Sequence, residues 1–241
     1  MKEMKFTALI TARLETHIKN DDGTKTIIKL ENTNELLDNI NKYLPNKSKL
    51  VVIANNPDAY ESNDERAEIL YKSFQLSNLK FKEKILIDNR NAKEAKSILQ
   101  NASLVILWGG KVYCQMKFFR KIHLDKLLAN YKGLLISISA GTMNMCKNVY
   151  NFPEEVTDLK EPRLLKGLGF IDEYLIPHFD GKTYDCFMEN VDSVNDYILP
   201  FSHKKDLIAI PNRSYLLYNG KSVQHFGDCY LVRKGEVYKK V

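Results

Sequence analysis

Across the first two-thirds of the chain, short apolar runs rich in β-branched residues alternate with segments patterned as helices. The runs are Phe6 to Ile10, Leu50 to Ala54, Lys84 to Ile87, Leu104 to Trp108 and Leu134 to Ser137. Strands that alternate with helices in this way pair in parallel and bury both faces of their sheet, so the pattern predicts an α/β fold. It has a mostly parallel sheet with helices on both faces, in flavodoxin-like layers. Helix starts are marked at Asn32 with Glu35 and at Ser62 with Glu65, each a polar cap followed three residues on by a glutamate that can return the hydrogen bond.

The last third changes character. Leu207 to Ile210, Tyr215 to Tyr218, Val223 to Phe226, Tyr230 to Val232 and Glu236 to Lys239 read as short strands, with Asn219-Gly220 and Lys234-Gly235 suited to tight hairpin turns. Antiparallel strands are therefore expected in the C-terminal third, as a mixed sheet edge or a small separate sheet. With 241 residues, 44% of them hydrophobic, and no repeat or Gly/Ser-rich linker, one domain spanning 1–241 is expected.

Composition narrows the function classes. No apolar run approaches the ~18 residues that a membrane-spanning helix needs. The amino-terminal MKEMKFTALITARLE lacks the long apolar stretch and cleavage site of a signal peptide, so a cytoplasmic location without membrane contact is expected. The net charge is +6, but the lysines are spread out and no basic run is interleaved with aromatics, which argues against a nucleic-acid partner. Cys114, Cys146, Cys186 and Cys229 lie far apart with no C-x-x-C pair, which points to free thiols rather than a zinc site or a disulfide scaffold. No metal and no cofactor is expected.

The stretch from Gly133 to Cys146 runs from an apolar strand directly into a helical pattern, with Ser139 at the junction and the small residues Ala140 and Gly141 after it. A sharp strand-to-helix turn lifts a serine oxygen off the sheet and aims the next backbone N–H at a developing oxyanion. The same residues also suit an ordinary helix start, so the surroundings must decide. Serine needs a base within hydrogen-bond reach, and histidine is the side chain that titrates nearest neutrality. Of five histidines, His17, His123, His203 and His225 lie in polar or basic surroundings. His178 instead follows Tyr174-Leu-Ile-Pro at the expected carboxyl end of a strand, where open α/β sheets bind ligands. A capped core histidine would fit there equally well. Gly109-Gly110, after the strand that precedes the serine strand, can let backbone amides approach a reacting carbonyl.

Together these segments resemble peptidase family S51, the peptidase E and cyanophycinase group of the class I glutamine amidotransferase-like superfamily. Leu104-Val-Ile-Leu-Trp-Gly-Gly is similar to that family's strand ending in glycines, Ser137-Ile-Ser-Ala-Gly to its G-x-S-A-G turn, and Gly167-Leu-Gly with Ile176-Pro-His-Phe to its G-L-G…P-H-[FY] segment. The resemblance implies Ser139 as nucleophile, His178 as base and then acid, and the amides of Gly110 and Ala140 as oxyanion donors beside Gly109. It also implies an acidic partner for the histidine on the loop after the nucleophile helix, where Glu154 and Glu155 fall, with Glu154 the closer match in spacing. Two departures stand out. Lys111 replaces an Asn or Asp and can alter the charge of the substrate pocket, and Ser137 replaces the glycine two before the nucleophile.

The expected activity is that of a serine peptidase (dipeptidase E-like) acting through a Ser-His-Glu site on small peptides, with an aspartyl residue on the acyl side as the family preference. A homodimer is left open. The alternatives are an amidotransferase-like binding protein that has lost catalysis, and a serine hydrolase of another amide or ester metabolite. A glutaminase fits less well, because glutamine-hydrolysing members of the superfamily use cysteine at the turn where this chain has Ser139.

Overall fold

The computed structural model describes residues 4–154, 156–184, 192–220 and 222–240. In chain order the strands are β1 (Thr7–Thr11), β2 (His17–Lys19), β3 (Lys25–Ile27), β4 (Lys49–Ile53), β5 (Glu83–Ile87), β6 (Leu104–Leu107) and β7 (Leu134–Ile138). There follow β8 (Asn148–Tyr150), β9 (Leu164–Lys166), β10 (Tyr174–Pro177), β11 (Leu207–Ile210), β12 (Tyr215–Tyr218), β13 (Val223–Phe226), β14 (Cys229–Arg233) and β15 (Glu236–Lys240). The α-helices are α1 (Leu36–Tyr43), α2 (Tyr60–Leu76), α3 (Ala95–Leu99), α4 (Val112–Lys121), α5 (Leu124–Leu128), α6 (Ala140–Met145) and α7 (Leu199–Ser202).

The main sheet has seven strands in the order β13-β12-β1-β7-β6-β4-β5. β1, β7, β6, β4 and β5 are parallel, and β12 and β13 add antiparallel strands at one edge. Because side chains alternate across a strand, each parallel strand feeds two cores. Leu50, Val52, Leu104, Ile106, Leu134 and Ile136 pack with Ile40 of α1 and with Leu70 and Phe74 of α2. Val51, Ile53, Val105, Leu107 and Leu135 pack on the other face with α3, α4, α5 and α6. The expected helix layers on both faces are present.

A second sheet, β10-β11-β14-β15, is parallel only between β10 and β11. The C-terminal third thus supplies both a mixed edge to the first sheet and a smaller sheet of its own. Lys234 and Gly235 turn the β14–β15 hairpin with φ of 54° and 80°, the positive pair that a two-residue type I′ turn requires.

Both expected helix starts shift. Asn32 Oδ1 accepts from the amides of Leu37 and Asp38 at 2.9 and 3.1 Å, so it caps α1 across an intervening 3₁₀ turn. Glu35 there has φ 62°, left-handed backbone that removes it from a capping box. Ser62 lies inside the first turn of α2, which begins at Tyr60. Among the described residues no helix is long and apolar enough to cross a membrane. Cys114, Cys146 and Cys229 are free thiols, and Cys186 lies outside the described residues.

Candidate active site

Ser139 sits where β7 ends and α6 begins, with φ 52° and ψ −115°. A non-glycine residue in that region costs on the order of 1–3 kcal/mol and persists only where neighbours hold it. The hold comes from both sides. The Ser139 N–H donates to Thr11 O of β1 at 3.1 Å, and the Ser139 carbonyl accepts from Met143 of α6 at 3.1 Å. Small residues are required by contact: a Cβ at Gly141 would lie 2.5 Å from Leu107 O, and one at Gly109 would lie 2.9 Å from Ser139 Cβ.

Ser137 has a structural reason to be there. Its buried hydroxyl bonds Thr142 Oγ1 at 2.9 Å, Thr142 Oγ1 donates to Thr11 O at 2.7 Å, and Thr11 Oγ1 donates to Ser137 O at 3.0 Å. The hydroxyl cycle stitches β1, β7 and α6 together beneath the turn and leaves Ser139 to face the cavity.

His178 Nε2 lies 2.9 Å from Ser139 Oγ, and His178 Nδ1 lies 2.7 Å from Asn212 Oδ1. The topology explains the pair. β10 and β11 are parallel neighbours with Pro177 opposite Ile210, and the His178 N–H donates to Ile210 O at 2.9 Å. Residues just beyond those two strand ends therefore emerge side by side. With Asn212 Oδ1 accepting, Nδ1 carries the proton and Nε2 is left as an acceptor for the serine hydroxyl.

The third position therefore differs from expectation. The ring nitrogen expected to meet Glu154 meets Asn212, and the Glu154 carboxylate accepts from the Tyr184 hydroxyl while its backbone N–H donates to Asp158 at 3.1 Å. Glu154 still lines the same cavity, and Glu155 lies outside the described residues. The physical reason is distance along the fold. Asn212 is delivered by the strand next to the histidine's own, whereas the loop carrying Glu154 is tied to Tyr184, whose ring packs edge-on against Phe152. The signal that marks Asn212 is an echo: Ile176-Pro-His and Ile210-Pro-Asn end two parallel strands with the same apolar-Pro-polar turn.

The site opens into a cavity of ≈ 640 Å³, within the usual range for small-molecule sites. Gly109, Gly110, Lys111, Ser139, Glu154 and His178 all line it, while Ala140, the buried first residue of α6, follows Ser139 without lining the cavity itself. Lys111 Nζ lies 3.7 Å from Asp158 Oδ1, an ion pair beyond hydrogen-bond length. Among the described residues no group of three or more His, Cys, Asp or Glu is placed to hold a metal.

A further cation in the cavity wall carried no sequence signal. Arg66, midway along α2 among Asp64, Glu65 and Glu68, donates from Nη1 to Asn55 Oδ1 at 3.0 Å and from Nη2 to Gly109 O at 3.2 Å. Its guanidinium lies 4.6 Å from the centroid of the Trp108 ring, and burial pushes its pKa down.

A serine at a strained strand-to-helix turn, within hydrogen-bond reach of a histidine in the wall of a cavity, is an arrangement in which the imidazole can take the hydroxyl proton. The model of peptidase family S51 matches residues 23–226, and the chain belongs to that family. In fold it is similar to a solved structure from Listeria monocytogenes EGD-e that is provisionally assigned to peptidase E, with a TM-score of 0.57 and 15% identity over 80% of this chain and 93% of that one. At that identity the likeness is one of fold. Among curated proteins, no sequence matches this one.

Proposed function

We propose that the protein is a serine peptidase that cleaves small peptides through Ser139 and His178, with Asn212 as the residue that orients the histidine. The observation that carries this reading is the 2.9 Å contact between His178 Nε2 and Ser139 Oγ. As Oγ attacks the scissile carbonyl carbon, its proton passes to Nε2, and the carbonyl oxygen becomes an oxyanion facing the N–H groups of Gly110 and Ala140. Collapse of this intermediate breaks the C–N bond, and the imidazolium returns its proton to the departing amine. Water then attacks the acyl-serine with His178 again as base, releasing the acid and restoring Ser139. The imidazolium formed along the way donates from Nδ1 to Asn212 Oδ1.

The cavity volume suits a ligand of dipeptide size. Lys111, next to Gly110 in the wall and paired with Asp158 at 3.7 Å, keeps a cation in the cavity that tolerates an acidic residue on the acyl side, an aspartyl residue in line with the family resemblance. Ser139→Ala tests the assignment: hydrolysis of a peptide found by screening should fall by roughly 10⁴ to 10⁶-fold, and a fluorophosphonate should label wild type but not the variant. Unchanged labelling in Ser139→Ala would place the reactive serine elsewhere.

A further inference from the structure

We infer that Arg66 is a positioning residue for the oxyanion site, holding the Gly109–Gly110 peptide so that the Gly110 N–H faces the reacting carbonyl oxygen. The inference rests on the serine-peptidase reading above.

The described chain has no cis peptide, so the carbonyl of Gly109 and the N–H of Gly110 lie in one plane and point in opposite directions. Whatever fixes the carbonyl on one side therefore aims the N–H on the other. Arg66 Nη2 donates to that carbonyl at 3.2 Å from the α2 side, while a Cβ at Gly109 would come within 2.9 Å of Ser139 Cβ. The arginine and the nucleophile thus flank the same short stretch of backbone.

Two consecutive glycines have wide conformational freedom and cannot hold such an orientation by themselves. Gly110 has φ 147°, and a Cβ there would lie 1.9 Å from Asn55 Nδ2, so the Asn55 side chain lies flush against its α-carbon. Asn55 Oδ1 in turn accepts from Arg66 Nη1, and the guanidinium is packed on the face of Trp108, the residue just before the pair. The planar fork is held at three points, by Asn55, by Trp108 and by the carbonyl it orients. A cation on a peptide oxygen also polarises that peptide and makes its N–H a better donor to a developing negative charge.

The charge pattern agrees. The other long cations lining the cavity have acidic partners: Arg13 with Glu15, Lys25 with Glu65, and Lys111 with Asp158. Arg66 has no carboxylate partner among the described residues and spends its donors on neutral oxygens. Holding a partly buried guanidinium without a counter-charge is costly, and a role in ordering the oxyanion site accounts for keeping it.

The test compares Arg66→Lys and Arg66→Met with wild type in three measurements: melting temperature, kcat and KM on a neutral and an acidic peptide, and the rate and half-saturation of fluorophosphonate inactivation. Removing an oxyanion donor outright lowers kcat by about 10² to 10³-fold, so disordering one should cost about 10-fold in Arg66→Lys and about 100-fold in Arg66→Met. The loss should fall on kcat and on the maximal inactivation rate, equally for both peptides, with KM unchanged. Lysine keeps the charge but cannot span Asn55 and Gly109 in one plane, so charge alone should not rescue the rate. Should Arg66→Met fail to fold, Arg66→Lys still decides. Wild-type kcat and inactivation in Arg66→Lys would overturn the inference. So would a loss confined to KM for the acidic peptide, which would make Arg66 a ligand for the substrate carboxylate. If wild type itself is not labelled at Ser139, the peptidase reading fails first.

Discussion

Asn212 offers His178 an uncharged oxygen where a carboxylate would offer a full negative charge. The hydrogen bond at 2.7 Å still selects the tautomer with the proton on Nδ1, but it stabilises the imidazolium less than an ion pair would. Asn212→Asp should therefore raise kcat at neutral pH, by up to about tenfold if the added charge is worth one pKa unit to the imidazolium. Asn212→Ala should lower it by at least about tenfold, because Nδ1 then loses the oxygen at 2.7 Å that selects its tautomer. Steady-state kinetics of both variants check the pair of expectations. A slower Asp variant would show that the neutral acceptor is not what limits the base. The side chain is exposed, so both substitutions should leave the melting temperature nearly unchanged.

At the level of elements, the strand-to-helix turn is held by hydroxyls rather than by apolar packing alone. Thr142→Val keeps the shape but removes one Oγ–H that reaches Thr11 O and one partner of Ser137 Oγ, both buried. Thr11 O keeps the Ser139 N–H, so the group left unsatisfied is the buried Ser137 hydroxyl, which costs about 1–3 kcal/mol, and denaturant titration should show a loss of that size. Because the cycle underlies Ser139, kcat should fall as well while KM holds. Gly141→Ala should be worse than Thr142→Val in the same titration, since its Cβ meets backbone of β6 that cannot move aside. The motif of small residues around Ser139 was visible in the chain because every part of that turn lies within a few positions. The reason for Ser137 was not, since its hydroxyl is explained by Thr142 and by a strand 126 residues away.

Across the described molecule, one apolar core spans both sheets: Leu107 and Leu135 of the sheet that carries Ser139, Ile176, Ala209 and Ile210 of the sheet that carries His178, and Phe179 just beyond β10 belong to the same cluster. The two halves of the site are therefore held in register by shared packing, and heating or denaturant should unfold them in a single transition in which activity and circular dichroism are lost together. Phe179 is fully buried and directly follows His178. Phe179→Ala should cost about 3–5 kcal/mol and should lower kcat even where the variant remains folded, because the cavity it leaves loosens the histidine. Two separate transitions in wild type would show that the sheets are not energetically coupled.

The sequence alone determined the parallel sheet, its two helix layers and the antiparallel C-terminal strands, each written in side-chain periodicity or turn chemistry over a span of a few residues. Ser139, His178 and Gly109-Gly110 also suited ordinary fold roles, and it was the resemblance to family S51 that singled them out as candidate parts of a site. Only the tertiary structure decided that Asn212 rather than Glu154 meets the histidine ring, and that Arg66 reaches the glycine pair. The first follows from the pairing of β10 with β11 across 34 residues, and the second from the docking of α2 against a loop 43 residues away. A loop glutamate beside the right helix and an arginine among surface charges look alike in sequence whether or not they touch the site. Strand register and helix packing, which are set by the core as a whole, decide which of them arrives.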